Sequence, residues 1–246
     1  MRTIYGINPV TEAIRAGKNM DHVIVSASRS DKTAVSIMKA ATDAGIEVRR
    51  APEEELRRLT KTDKHQGVAA VLAEEFRYSS FEDLIDAWKQ SGSQAFFLIL
   101  DSIQDPQNLG SLVRTANAAG VHGVIIPKDR ASEVTSTVVK TSAGATEVTP
   151  IAREVNITRV IERLKEEGVW VVAVEGGCAE TVYSADLDRD IAIVIGSEGR
   201  GIRRLVKENC DFCVSIPMYG EISSLNAAQA GAVALFETRR QRLKSK

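Results

Sequence analysis

Three short stretches of polar and small residues stand at the ends of apolar runs, and each could hold or move a charged group. The first covers residues 101–114, DSIQDPQNLGSLVR, directly after the apolar run FFLIL. Asp105, Pro106 and Asn108 are turn and helix-start residues. A helix beginning there would turn free backbone N–H groups toward an anion such as phosphate. Arg114 follows about one and a half turns on. Read alone, Asp105 is simply a helix cap. The second stretch, GSEGRG at residues 196–201, follows IAIVI. Its glycines let the backbone turn sharply and let a ligand approach closely, with the Glu198 carboxylate among them. The third, IPMYGEISSLN at residues 216–226, precedes a helical pattern. Capping accounts for one of Ser223, Ser224 and Asn226, not for all three.

The elements that must position these residues alternate along the chain. Apolar runs at 95–101, 123–127, 169–176, 191–198 and 212–217 suit strands buried on both faces of a parallel sheet. Helical patterns lie between them at 108–120, 157–168 and 201–210, and a last helix is expected over about 225–240. This alternation predicts an α/β fold with a mostly parallel sheet, whose ligands bind beyond the C-terminal strand ends. Residues 1–75 form a smaller α/β unit: helices at 8–17, 31–45 and 53–60, strands at 22–27, 46–51 and 67–74. Residues 76–92 are expected to be a linker containing a short helix, FEDLIDAWK, and residues 93–246 a second domain.

The 246 residues are 43% hydrophobic and 26% charged, with net charge −1. That is a globular composition, not a disordered one. A nucleic-acid partner would have to meet clustered basic residues: Arg49, Arg50, Arg57, Arg58, Lys61 and Lys64, or Arg239, Arg240, Arg242, Lys244 and Lys246. Either run is also an ordinary solvated face. Three cysteines, Cys178, Cys210 and Cys213, argue against a disulfide framework and suit a reducing compartment. Cys210 and Cys213 form a C-x-x-C, but His22, His65 and His122 stand at no ligand spacing, so no metal is expected. No leader and no membrane span of about 18 apolar residues is evident. A soluble, cytoplasmic protein is expected. GSEGRG is neither the dinucleotide fingerprint nor a P-loop, which removes the support for a nucleotide-dependent oxidoreductase.

In order along the chain, N-L-G-x-x-x-R, G-S-E-G-x-G and I-P-M-x-G-x-x-x-S-L-N strongly resemble the three motifs of the SpoU (TrmH-like) RNA ribose 2′-O-methyltransferases. The likeness covers about residues 95–246. IYGINPVTEAIRAG and HQGVAAV resemble that family's small substrate-binding domain, similar to the L30e fold. The resemblance implies a SPOUT-type fold whose C-terminal part forms a deep trefoil knot, a homodimer, and S-adenosyl-L-methionine as cofactor. It assigns Asn108, Arg114, Glu198, Ser224 and Asn226 to catalysis, and Gly196, Ile216, Met218 and Leu225 to the cofactor. It implies an RNA substrate, with a guanosine of 23S rRNA favoured by the two-domain layout. A tRNA ribose, or RNA binding without catalysis, remain the alternatives.

Overall fold

The computed structural model describes residues 2–244, so Lys246 of the basic C-terminal run lies outside the described residues. The chain divides into two compact units. One comprises the chain up to Arg77 together with Val134–Val148; the other comprises Tyr78–Glu133 and the chain from Thr149 onward.

The first unit is built from β1 (Arg2–Tyr5), α1 (Ile7–Arg15), β2 (Met20–Ser26), α2 (Lys32–Asp43), β3 (Glu47–Ala51), α3 (Glu53–Thr60) and β4 (Val68–Leu72). Its sheet has the order β1-β4-β2-β3. Only β2 and β3 run parallel; β4 is antiparallel to both of its neighbours. Tyr5, Ile24, Ala51, Leu56 and Ala69 form a core cluster under α3. Asp31 caps α2 by accepting from the Thr33 and Ala34 amides, and Arg29 beside it lowers the pKa of its carboxyl to about 2.

The second unit is the larger. It contains α4 (Phe81–Ser91), β5 (Phe96–Asp101), α5 (Pro106–Ala119), β6 (Gly123–Pro127), β7 (Ile151–Glu154), α7 (Ile157–Glu166), β8 (Trp170–Val174), β9 (Glu180–Thr181), β10 (Ile191–Gly196), α8 (Arg204–Asn209), β11 (Phe212–Ser215) and α9 (Ala227–Lys244); α6 (Ser136–Thr141) belongs to the first unit. The sheet order is β7-β6-β5-β10-β8-β11-β9, and every pairing is parallel. The central strands β5 and β10 are apolar along their length because both faces are covered: Phe96, Phe97, Leu98, Ile99 and Leu100 are fully buried. From β5 the chain winds outward to β6 and β7, then returns past β10 to β8. The C-terminal ends of β5 and β10 therefore flank a point where the winding reverses, the usual place for a ligand crevice.

The structure corrects three expectations. Residues 81–91 are not linker: Ser80 and Asp83 form a capping box at the start of α4, and Phe81, Leu84, Ile85 and Trp88 sit in the main core. Residues 134–148, expected inside the second domain, pack with the first. There α6 lies against β1 and α1, Val138 and Val139 are buried, and the fully buried Glu147 carboxylate meets Arg2 at 2.8 Å. Among the described residues, the arginines of the C-terminal basic run are not a free patch. Arg239 donates to the Ala119 carbonyl at the end of α5, Arg242 to the Ala95 and Arg189 carbonyls, and Arg240 pairs with Glu237. Both Arg239 and Arg242 also lie over the Phe96 ring. These guanidinium groups satisfy carbonyls at helix and strand ends and fasten α9 to the sheet.

The cysteines depart from expectation too. Cys178 and Cys213 are disulfide-bonded. Ser215 Oγ donates to the Cys178 carbonyl, which draws the loop after β8 back onto β11 and brings the two side chains together. Cys210, the other half of the C-x-x-C, instead donates its thiol to the Val206 carbonyl within α8. Burial, with Asp211 adding to it, pushes that thiol up to about 12. At pH 8 the thiol therefore stays protonated and is a poor nucleophile. Iodoacetamide at pH 8 is expected to label no cysteine of the oxidised protein and two after reduction. Prompt labelling of a third, counted by mass spectrometry, would contradict the raised pKa of the half-buried Cys210 thiol.

Candidate active site

The three polar stretches converge at the C-terminal edge of the larger sheet. A cavity of about 550 Å³ lies beyond the ends of β8, β10 and β11. Gly196 and Glu198 line it from the β10 side, Ile216 and Met218 from the segment after β11, and Ser224, Leu225 and Asn226 from the approach to α9. Val174, Glu175 and Gly176, at the end of β8, close the remaining wall. The lining mixes aliphatic side chains with hydroxyls and carboxylates, as small-molecule sites usually do.

Gly196 is where that wall is tightest. A Cβ there would fall 2.3 Å from the Gly201 carbonyl carbon and 2.4 Å from the Ile202 nitrogen. The loop folds back so closely because Ser197 and Gly201 exchange backbone hydrogen bonds. Gly231 in α9 has a comparable role: a Cβ there would meet Leu112 Cδ2 at 2.4 Å, so the small residue lets α9 settle onto α5.

One hydrogen-bonded chain ties the three stretches together. Asn108 Nδ2 donates to Glu198 Oε1 at 2.9 Å. Asn226 Nδ2 donates to Asn108 Oδ1 at 3.3 Å. Asn226 Oδ1 accepts from the Gln229 amide at 2.8 Å and so caps α9. Asn108 is buried, whereas Glu198 is exposed. The buried amide thus fixes the carboxylate from behind and leaves its other oxygen to the cavities. Asn108, Glu198 and Asn226 also line an open groove of about 590 Å³, with Gln107 and Ser111 of α5 and Gln229 and Ala232 of α9.

Arg114 stands apart from this cluster. It is exposed, lines none of these cavities, and makes no ion pair among the described residues. It follows Ser111 by three positions and Gln107 by seven, so it lies further along the same helix face. Ser224 reaches the cavity wall without entering the hydrogen-bonded chain.

Two features were not anticipated from sequence. Glu175 enters the cavity wall, with its carboxylate 2.7 Å from Lys207 Nζ; its signal was an acidic residue directly after an apolar strand. Asp101 is fully buried and accepts from the Arg203 backbone amide and Nε, both at 2.7 Å. It anchors the loop after β10 to the end of β5. A buried carboxylate is tolerated only when paired in this way. Among the described residues, no cluster of three or more His, Cys, Asp or Glu could hold a metal, and no helix is long and apolar enough to cross a membrane.

Comparison with known proteins adds independent findings. Residues 95–236 match the SpoU rRNA Methylase family, and residues 3–78 match the RNA 2′-O ribose methyltransferase substrate-binding family. A Bacillus subtilis protein assigned to the TrmH family of tRNA/rRNA methyltransferases is 40% identical over 97% of this chain and 95% of its own. The 23S rRNA (guanosine-2′-O-)-methyltransferase of Ralstonia nicotianae is 38% identical over 98% and 96%. Among solved structures, an AdoMet-bound rRNA methyltransferase from Sinorhizobium meliloti matches with TM-score 0.77 and 25% identity, over 97% of this chain and 87% of that one.

Proposed function

Because the chain belongs to the SpoU rRNA methylase family, we propose that it methylates a guanosine ribose of 23S rRNA, using S-adenosyl-L-methionine as donor. Transfer of a methyl group to an RNA ribose 2′-oxygen is the activity of this family. The finer assignment rests on the full-length likeness to the R. nicotianae enzyme. The observation that carries the site assignment is the Glu198–Asn108–Asn226 chain, which stands where the cavity beyond β10 meets the open groove.

The cavity of about 550 Å³ beyond β8, β10 and β11 suits the cofactor. Ile216, Met218 and Leu225 offer apolar surface for an adenine, the glycine at position 196 lets the loop after β10 fold back to form the cavity wall, and Ser224, Glu175 and Glu198 offer polar partners. Backbone groups near Gly196, Ile216 and Leu225 hold the adenosine part. When bound, the cofactor supplies an electrophilic methyl on a sulfonium. The protein's own task is to align and activate a weak nucleophile. Asn108 fixes Glu198 beside the ribose, and Asn226 and Ser224 bond the nucleotide from the α9 side. Arg114 clamps the neighbouring phosphate and lowers the hydroxyl's pKa electrostatically. A guanidinium is a poor general base because its own pKa lies above 12.

The unit built on β1–β4 serves as the RNA-binding domain, and the segment 216–226 with α9 is read as the threaded part of the knot. The protein acts in the cytoplasm as a homodimer. In α9, Leu235 and Ala234 face inward, whereas Phe236 is 49% exposed beside half-buried Ala232 and Val233, an apolar stripe suited to a second copy. Sedimentation at the monomer mass would contradict the dimer.

The activity is tested by methyl transfer from radiolabelled S-adenosylmethionine to total RNA of cells lacking this protein, with labelled positions mapped by 2′-O-methyl sequencing. Label at one 23S ribose is expected. Label confined to tRNA would overturn the rRNA assignment. Cofactor binding or RNA binding without any transfer would favour the non-catalytic reading.

A further inference from the structure

A second polar cleft, of about 470 Å³, opens between the ends of β5 and β10. It shares Ser197, Glu198 and Gly201 with the cofactor cavity, so the β10–α8 loop is the common wall of the two. A ligand in this cleft lies one loop's thickness from the position where the ribose must meet the methyl group.

Its chemistry is set by three arginines, Arg130, Arg200 and Arg203. Arg203 is immobilised by Asp101, 2.6 Å from Nη2, yet its side chain remains 43% exposed. That combination leaves a guanidinium oriented in advance with one edge free for a ligand. Arg130 and Arg200 are exposed and have no hydrogen bond or ion pair among the described residues. Arg153, Arg163, Arg189, Arg204 and Arg240 of the same unit each sit on a carboxylate, whereas Arg130 and Arg200, like Arg114, make no ion pair among the described residues. The two carboxylates of the cleft are already engaged. Asp105 caps α5 by accepting from the Gln107 amide, and Glu198 accepts from Asn108.

The backbone supports the same reading. Ser102 (φ 66°) and Arg130 (φ 59°) both hold left-handed conformations, a strained backbone state for non-glycine residues that gathers at functional sites. The Ser132 amide bonds the Ile103 carbonyl at 2.8 Å, so the loop bearing Arg130 is fastened to the loop after β5.

We propose that this cleft is a phosphodiester subsite for the RNA strand flanking the methylated nucleotide, with Arg130 and Arg200 as its free cations and Arg203 as its fixed donor. The proposal rests on the RNA-methyltransferase reading and adds the residues that grip the strand. The cofactor's own carboxylate is the other anion within the enzyme's reach, so the test separates the two.

The double variant Arg130→Ala/Arg200→Ala removes only exposed, unpaired side chains. Binding of fluorescein-labelled, protein-free 23S rRNA fragments is followed by anisotropy across a salt series, and S-adenosylmethionine affinity by calorimetry. RNA affinity is expected to fall roughly 10- to 100-fold and the slope of log K against log[salt] to flatten by about 1–2. Cofactor affinity is expected to stay unchanged, and Arg130→Lys/Arg200→Lys to recover most of the binding. Unchanged RNA affinity and salt slope would overturn the proposal. Weakened cofactor affinity with intact RNA binding would overturn it in favour of the cofactor carboxylate. These readouts need no turnover, so a failure of the methyltransferase reading would show separately, as absent transfer by the wild-type protein.

Discussion

Arg114→Ala is expected to lower turnover about 10²–10³-fold while leaving S-adenosylmethionine affinity unchanged. The size is that of removing one oriented donor from a site where charge develops. The separation of effects follows from position. Arg114 lines none of the cavities, and it lies along α5 beyond Gln107 and Ser111 of the open groove. Arg114→Lys retains the charge but loses the planar fork that grips a phosphate, and is also expected to lose most turnover. Calorimetric titration with the cofactor, paired with single-turnover kinetics, checks both halves. Wild-type turnover in the lysine variant would refute a role for the guanidinium as clamp or as base.

Gly196→Ala is expected to weaken cofactor binding roughly 5- to 150-fold and to lower turnover with it. The added Cβ would meet backbone atoms of Gly201 and Ile202 at 2.3–2.5 Å, and backbone cannot rotate aside as a side chain can. Overpacking of this kind costs about 1–3 kcal/mol, and about 1.4 kcal/mol is a factor of ten in affinity. Gly176 supplies the control. It lines the same cavity, but a Cβ there would meet nothing within 4 Å, so Gly176→Ala is expected to bind as the wild type does. Equal losses in the two variants would show that the wall at Gly196 is not the constraint.

Most of the larger sheet is legible in the sequence because its central strands are buried on both faces. FFLIL and IAIVI are uninterrupted apolar runs, and they form β5 and β10. Helix α7 is legible for the complementary reason: Ile157, Val160, Ile161 and Leu164 mark one buried face at helical spacing. The short strands are not. Arg2–Tyr5 and Ile151–Glu154 each give four residues, and Glu180–Thr181 gives two, too few for a period to register. Nor does any composition change announce that 134–148 leaves one unit for the other, since helices of both units present ordinary amphipathic surfaces.

The site shows the same division. Asn108, Glu198 and Asn226 stand out as candidates in their motifs, but they are 90 and 118 residues apart in the pairs that bond. Only the reversal of strand order between β5 and β10 puts them together. Arg239 and Arg242 look like part of a basic run, because charge patterning records side chains and is blind to the carbonyls they satisfy. Arg130 gives no sequence signal, because an arginine in a loop between elements carries no period and no motif.

The most direct test of the central claim is the identity of the methylated nucleoside. 23S rRNA from a strain lacking this protein would be incubated with the enzyme and deuterated-methyl S-adenosylmethionine, digested to nucleosides, and analysed by mass spectrometry. The expected product is guanosine carrying the deuterated methyl on its ribose. A label on the base would contradict ribose 2′-oxygen as the acceptor, and with it the roles proposed for Asn108, Glu198 and Arg114.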